Sequence, residues 1–260
     1  MANAVKKKEE TNIVTFDTSV FEEDAGKGLN NLTAEDLSIP FLRILSDTND
    51  EVKKRSPKYI EGAEVGMMFN TLTRELYSGE EGVQVVPCSY QPQLIEWSDR
   101  GKGTGAPANI HPVTSNILKT TTRDEGNKDR LPNGNYIEYT ANYYVLIINK
   151  DGTTSQALIA MKSTQRKKAK RWNSLMLGLK LPKKDGGFFN PATYSHIYRL
   201  TTVPESNDQG QWFGWDIERV GPVESQEIYM AGKQFDESVD KGEVKVKHEE
   251  ETTGSDNTPY

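Results

Sequence analysis

KSTQRKKAKRWNSLMLGLKLPKK, residues 162–184, holds nine basic side chains (Lys162, Arg166, Lys167, Lys168, Lys170, Arg171, Lys180, Lys183 and Lys184) and no acidic one. Ala169, Trp172, Leu175, Met176 and Leu179 recur at helical spacing, so one stripe can face a core, with Trp172 part of it. Ser163 or Thr164 can cap the start, and Leu181-Pro182 ends the run. Arg166, Lys167, Lys170 and Arg171 then project away from the apolar stripe. A solvated helix face is the ordinary reading of a charge run. Here all the charges share one sign, and like charges at i, i+4 destabilise an isolated helix. The cluster points to an anionic partner with a phosphate backbone.

Strand-like segments flank this helix. On the N-terminal side lie residues 82–97 (bent by Pro87 and Pro92), 136–148 and 154–161, the last two joined by the turn signal NKDG at 149–152. On the C-terminal side lie 194–203 and 211–220, joined by the polar loop PESNDQG. Strand, strand, strand, helix, strand, strand is the connectivity of the five-stranded OB barrel. That fold commonly binds oligonucleotides on its second and third strands and on the loops joining strands one-two and four-five. Those loops are residues 98–135, expected to be largely without regular structure, and 204–210. The expected class is therefore mainly β with α additions: an OB-type barrel with a helix between strands three and four, plus flanking helices and disordered ends. Residues 81–240 form the barrel domain and 28–80 a helix with small strands or a hairpin packing on it. Residues 1–27 and 241–260 are disordered arms. A short helix is expected to start at Thr33 and stop before Pro40, and a last helix over 224–239.

Charge distribution says more than the total of -6. Residues 221–260 hold ten Asp and Glu against four Lys and Arg, which accounts for the whole net charge and leaves the first 220 residues neutral. The chain reads as a neutral body with a basic patch and an acidic tail. A single cysteine, Cys88, excludes an internal disulfide framework and fits a reducing compartment. The three histidines, His111, His196 and His248, are scattered without zinc-type spacing. No apolar run reaches the length of a membrane span, and the polar start has no signal-peptide core, so a soluble, cytoplasmic protein is expected.

Binding single strands without sequence choice needs a positive groove for the backbone and aromatic faces for the bases. Arg166, Lys167, Lys168, Lys170, Arg171 and Arg199 are the candidates for phosphates. Among Tyr143, Tyr144, Tyr194, Tyr198, Trp97 and Trp212, alternation should turn one of each adjacent pair outward. Tyr144, Tyr198 and Trp212 are the expected stacking residues.

The stretches GLNNLTAEDLSIPFLRIL, YIEGAEVGMMFNT, ALIAMKSTQRKKAKRWNSLMLGLK and YSHIYRLTTV resemble phage replication-type single-stranded DNA-binding proteins, over roughly residues 28–225. The chain end HEEETTGSDNTPY is similar to the acidic, aromatic-terminated tail of that class and of the bacterial single-stranded DNA-binding proteins. There the tail recruits replication and repair proteins. The resemblance implies a non-catalytic protein that protects single-stranded DNA in phage-type replication or recombination, with no cofactor. Pro259 and Tyr260 would be its partner-binding tip, and the chain could form homo-oligomers. Tyr260 stands where the bacterial tail has Phe, and Lys241, Lys245 and Lys247 dilute the acid.

Enzyme readings find less support. GKGTG at 101–105 lacks the spacing and ending of a P-loop. Asp124, Glu125 and Asp129 lie close together in sequence, as a metal-dependent nuclease would need, but nothing fixes their geometry, and a nuclease or annealing recombinase is the lesser alternative. A virion structural protein built from self-packing barrels is the other alternative.

Overall fold

The computed structural model describes residues 19–25, 27–28, 38–99, 101–102, 106–208, 210–244 and 246. The helix expected from Thr33 lies outside them up to residue 37, with residues 38–39 in no helix, and the tail tip lies outside them too. Within the expected N-terminal arm, Ser19–Glu23 forms a single helical turn, α1, with no buried residue. In chain order there follow a small antiparallel sheet of β1 (Leu42–Ile44), β2 (Met68–Asn70) and β3 (Leu76–Tyr77), and then the first long strand, β4 (Val83–Trp97). The excursion after β4 carries β5 (Asn109–Pro112), β6 (Thr122–Arg123) and β7 (Asp129–Arg130). The long hairpin β8 (Tyr136–Ile148) and β9 (Thr154–Met161) leads into α2 (Arg166–Leu177). A two-stranded ribbon, β10 (Leu181–Pro182) with β11 (Phe188–Phe189), precedes the hairpin β12 (His196–Asn207) and β13 (Gly210–Pro222), and α3 (Gln226–Asp240) closes the described chain.

The five long strands form one curled antiparallel sheet in the order β13-β12-β4-β8-β9. The class is mainly β, with the helix between the third and fourth long strands as the sequence pattern predicts. The sheet does not close on itself by hydrogen bonding: β9 and β13 are its ends, with no pairing between them among the described residues. Segment 38–44 fills that seam. The Leu158 N–H donates to the Pro40 carbonyl (2.8 Å), and Phe41 bridges Leu158 in parallel. Leu42 and Met68 enter the same core as the sheet's inner face. On the far side, Thr202 Oγ1 donates to the Gly66 carbonyl at 2.5 Å. Gly66 itself has φ +90°, and a Cβ there would lie 2.8 Å from the Phe213 ring. Only glycine satisfies both that backbone and that contact.

Two cores explain why β8 is buried almost end to end. Side chains alternate across a strand. Tyr143, Val145 and Ile147 face the main core inside the curl, which also holds Trp172 of α2 and Tyr198, Leu200, Trp215 and Ile217 of the last hairpin. Tyr144 and Leu146 face the other way, into a second core with Val86, Cys88, Leu158, Phe235 and Val239. The last two come from α3, whose N-cap Ser225 accepts a bond from Ile228 N–H (3.3 Å). Burial in this second core pushes the Cys88 thiol up to about 12. Pro87 sits at a register shift between β4 and β8, where a missing N–H is tolerated.

Residues 98–135 are not structureless. β5 pairs with β4, and β7 pairs with β8, so the excursion widens the sheet. Polar staples hold it. Buried Glu96 accepts from Asn135 (2.6 Å) and Asn133 (3.2 Å) and meets His111 Nε2 (2.9 Å). Arg130 reaches Asp124 (2.7 Å), Asp99 (2.6 Å) and the Gly134 carbonyl (2.9 Å). The expected loop 204–210 is likewise mostly strand, because β12 runs on to Asn207 and β13 starts at Gly210.

Candidate nucleic-acid interface

An open groove of about 640 Å³ lies where four parts of the chain converge. They are the β6–β7 hairpin of the excursion, the first residues of β8, the start of α2, and the tip of the β12–β13 hairpin. In the five-strand order these are the one-two connection, strand two, the helix after strand three, and the four-five connection. The lining carries five cations (Arg123, Lys128, Arg166, Lys167, Lys168), three carboxylates (Asp129, Glu138, Glu205) and three half-buried aromatics (Tyr136, Tyr139, Trp212).

Most of these groups are held in place. The Arg166 guanidinium lies 4.2 Å from the centre of the Tyr139 ring, and the Lys128 ammonium 4.2 Å from that of Tyr136. Glu205 organises the opposite wall: it pairs with Lys168 (2.9 Å) and accepts from Trp212 Nε1 (2.9 Å). Glu138 accepts from Ser163 Oγ (3.2 Å) and lies 3.6 Å from Lys162. Ser163 has φ +48°, a conformation uncommon outside glycine, and it turns the chain sharply from β9 into the helix. The Tyr139 hydroxyl is 3.2 Å from that of Tyr90, and burial, then their mutual bond, pushes Tyr90 up to about 12. All three carboxylates are thus paired with cations, Asp129 with Arg123, Glu138 with Lys162 and Glu205 with Lys168. The exposed Lys167 has no ion-pair partner among the described residues.

The structure sorts the candidate residues into three groups. Arg166, Lys167, Lys168 and Trp212 meet in the groove. Lys170 is exposed on α2 beyond it. The remaining four have other partners. Arg171 donates to Asp216 (3.0 Å) and to the Ile217 carbonyl (3.1 Å), tying α2 to the unpaired edge of β13. Arg199 pairs across the strands with Glu218 at 2.5 Å. Tyr144 is 3% exposed, edge-on to Phe235 with centroids 6.0 Å apart, because α3 covers the face that alternation left outward. Tyr198 is 1% exposed beneath Trp172. No base can reach either ring in this fold. Trp172 is fully buried and stacked on Tyr143 at 4.4 Å, as its place on the apolar stripe predicts. Pro259 and Tyr260 lie outside the described residues.

Tyr136, Tyr139, Arg123 and Lys128 are groove residues that the sequence reading did not single out. The two tyrosines sit at i and i+3 of β8, ahead of the segment that β9 covers, and so stay half open. Arg123 and Lys128 were visible as basic residues of the excursion. Acidic residues surround them in the sequence, but Asp124 and Asp99 are bound to Arg130, which holds both carboxyls below the usual range. Of the three acids a nuclease would need, Asp124 is bonded to Arg130 and Asp129 is paired with Arg123 (3.5 Å). Among the described residues no cluster of His, Cys, Asp and Glu is arranged to hold a metal ion, and no helix is long and apolar enough to cross a membrane.

The family model of the Pam3 phage gp34-like proteins matches residues 8–245, so the chain belongs to that family and stands among phage proteins. No curated protein and no solved structure matches it.

Proposed function

We propose that this phage-family protein binds single-stranded DNA with little sequence choice, through the groove at the start of α2. The observation that carries the reading is the convergence of five cations and three half-open aromatics on one concavity. A polyanion with accessible base faces satisfies both kinds of group, whereas a duplex hides its base faces in the stack. The sheet order adds support, because an OB-type face uses the same one-two and four-five connections. In this reading the protein is not an enzyme. It covers single strands during phage replication or recombination in the host cytoplasm, and its Pro259-Tyr260 end recruits partner proteins.

Trp212 supplies the assay. Trp97, Trp172 and Trp215 are all at most 9% exposed, so a DNA-dependent change in tryptophan emission should come from Trp212. Titration with an oligothymidine and with a duplex of matched length, at several salt concentrations, tests the proposal. Single strands should bind more tightly, with affinity falling as salt rises, and Trp212→Phe should abolish the emission change. Equal or tighter binding to duplex, or no binding to either, would refute it.

A further inference from the structure

Beyond α2 the chain makes the small β10–β11 ribbon, which the groove does not use. Leu181 pairs with Phe189 and Pro182 with Phe188. Its turn is set by Gly186 and Gly187, at φ +88° and +77°, and by the Lys183 N–H bond to the Gly187 carbonyl (3.0 Å). Asn190 fastens the base, donating to the Leu177 carbonyl and to the Leu179 carbonyl (3.2 Å) and accepting from Lys180. On this ribbon Phe188 is 69% exposed and Phe189 41%. Lys183 and Lys184 are exposed beside them, with Asp185 the one acid in the turn. Two open aromatic rings and two exposed lysines on a backbone-fixed ribbon repeat the chemistry of the groove.

A track connects the two sites. Lys167, at the groove, is followed at helical spacing by Lys170, Ser174 and Leu177, all exposed on one face of α2. Ten residues of helix span about 15 Å. No carboxylate falls on α2, so nothing on the helix repels a phosphate backbone along the way.

We propose that the ribbon is a second contact for the same single strand, with Phe188 and Phe189 stacking bases and Lys183 and Lys184 taking phosphates, so that the DNA path runs from the groove along α2. Charge complementarity selects the occupant: a lysine-flanked aromatic pair suits a polyanion with exposed base faces. This rests on the reading of the groove, and oligonucleotide length separates the two. An oligothymidine of about 4 nucleotides, the lower range for one such module and shorter than the helix track, fits the groove alone, whereas one of about 16, the upper range, reaches the ribbon.

The variant Phe188→Ser/Phe189→Ser, on an exposed ribbon outside both cores, is measured in the full chain by fluorescence titration and analytical ultracentrifugation. The longer oligonucleotide should lose about fivefold or more in affinity, the equivalent of one lost stack, and the shorter one should be unaffected. Lys183→Gln/Lys184→Gln should flatten the salt slope for the longer strand by about 1.4, at about 0.7 per phosphate, and leave the shorter unchanged. Equal losses for both lengths, or none for either, would overturn the ribbon contact while leaving the groove in place. A changed oligomeric state with unchanged DNA affinity would make the ribbon a protein interface and overturn it too. Absence of single-strand binding by the unaltered protein would remove both proposals.

Discussion

Replacing Arg166 and Lys167 with Gln removes two cations from the groove without touching either core. Each phosphate contact on a single strand contributes about 0.7 to the slope of log affinity against log salt, so the double variant should be flatter by about 1.4. Over a fourfold rise in salt, the advantage of the unaltered protein should therefore shrink by about sevenfold. The slope is the diagnostic quantity because absolute affinity mixes effects: Arg166 also lies over Tyr139, a contact worth about 0.5–1 kcal/mol at an exposed site. Lys168 is left intact on purpose. Its removal would release Glu205, which also fixes Trp212, and so confound charge with geometry. The control is Arg171→Gln/Arg199→Gln, which removes the same formal charge from residues already paired with Asp216 and Glu218. That control should keep the slope and lose about 1 kcal/mol or less of stability per exposed pair. Tryptophan emission at four or five salt concentrations gives all three slopes. If the control flattens the slope as much as the groove variant, the charge acts as a diffuse cloud and the groove assignment fails.

Two further outcomes follow from burial and charge. Trp172→Ala should cost about 3–5 kcal/mol of folding stability in a denaturant melt, whereas Tyr136→Ala should leave the melt nearly unchanged and weaken single-strand binding by about 1–3 kcal/mol; the reverse pattern would invert the assignment of core and groove. The excursion should loosen in acid: burial raises Glu96, but the bonds from Asn135, His111 and Asn133 outweigh it, and Arg130 holds Asp99 and Asp124 low as well. Carboxyls depressed in the folded state stabilise it above their unfolded values, near 4, and lose that contribution as pH falls further, so amide exchange over residues 109–137 should accelerate below about pH 4 before that of β12 does. Uniform acceleration across the sheet would show that these bonds are not what holds the excursion.

Period and punctuation made most of the elements legible. The strand pattern of 136–148 and the NKDG turn mark real boundaries, because local chemistry sets them, whereas α2 ends at Leu177, before the Leu181-Pro182 step, which forms β10. What local pattern could not supply is which face of a strand is covered, since the covering segment lies elsewhere in the chain. Tyr144 alternates correctly with Tyr143, yet it is buried by a helix that starts more than eighty residues later. Tyr198 alternates with His196 and Leu200 on a buried face that turns inward beneath Trp172. Register hid Arg199 in the same way: it is opposite Glu218 only once β12 and β13 are aligned. Charge counting likewise could not tell Arg171, which is paired, from Lys167, which has no ion-pair partner among the described residues. The groove was therefore half visible, as a basic helix start and one tryptophan. Its other wall, on the excursion, depended on the staples around Arg130 and Glu96.

The division of α2 along its circumference explains how a helix with five like charges and no acid persists. Isolated, it would be opposed by its own i, i+4 repulsions. In the fold, stability comes from tertiary contacts: Ala169 and Trp172 are buried, and the Ala169 carbonyl accepts from the Tyr143 hydroxyl (2.8 Å). A second face guards the open end of the sheet. An exposed strand edge invites pairing with another chain, and two polar side chains blunt this one. Gln165 Oε1 accepts from Trp215 N–H (3.0 Å), and Arg171 donates to the Ile217 carbonyl. Only the third face, through Arg166, Lys167 and Lys170, is left toward solvent and the groove. Anchoring the helix through its other two sides lets the fold keep that face positive before any ligand arrives. Pre-set charge of this kind favours fast capture of a polyanion, because the cost of gathering the cations is met in folding and not at encounter.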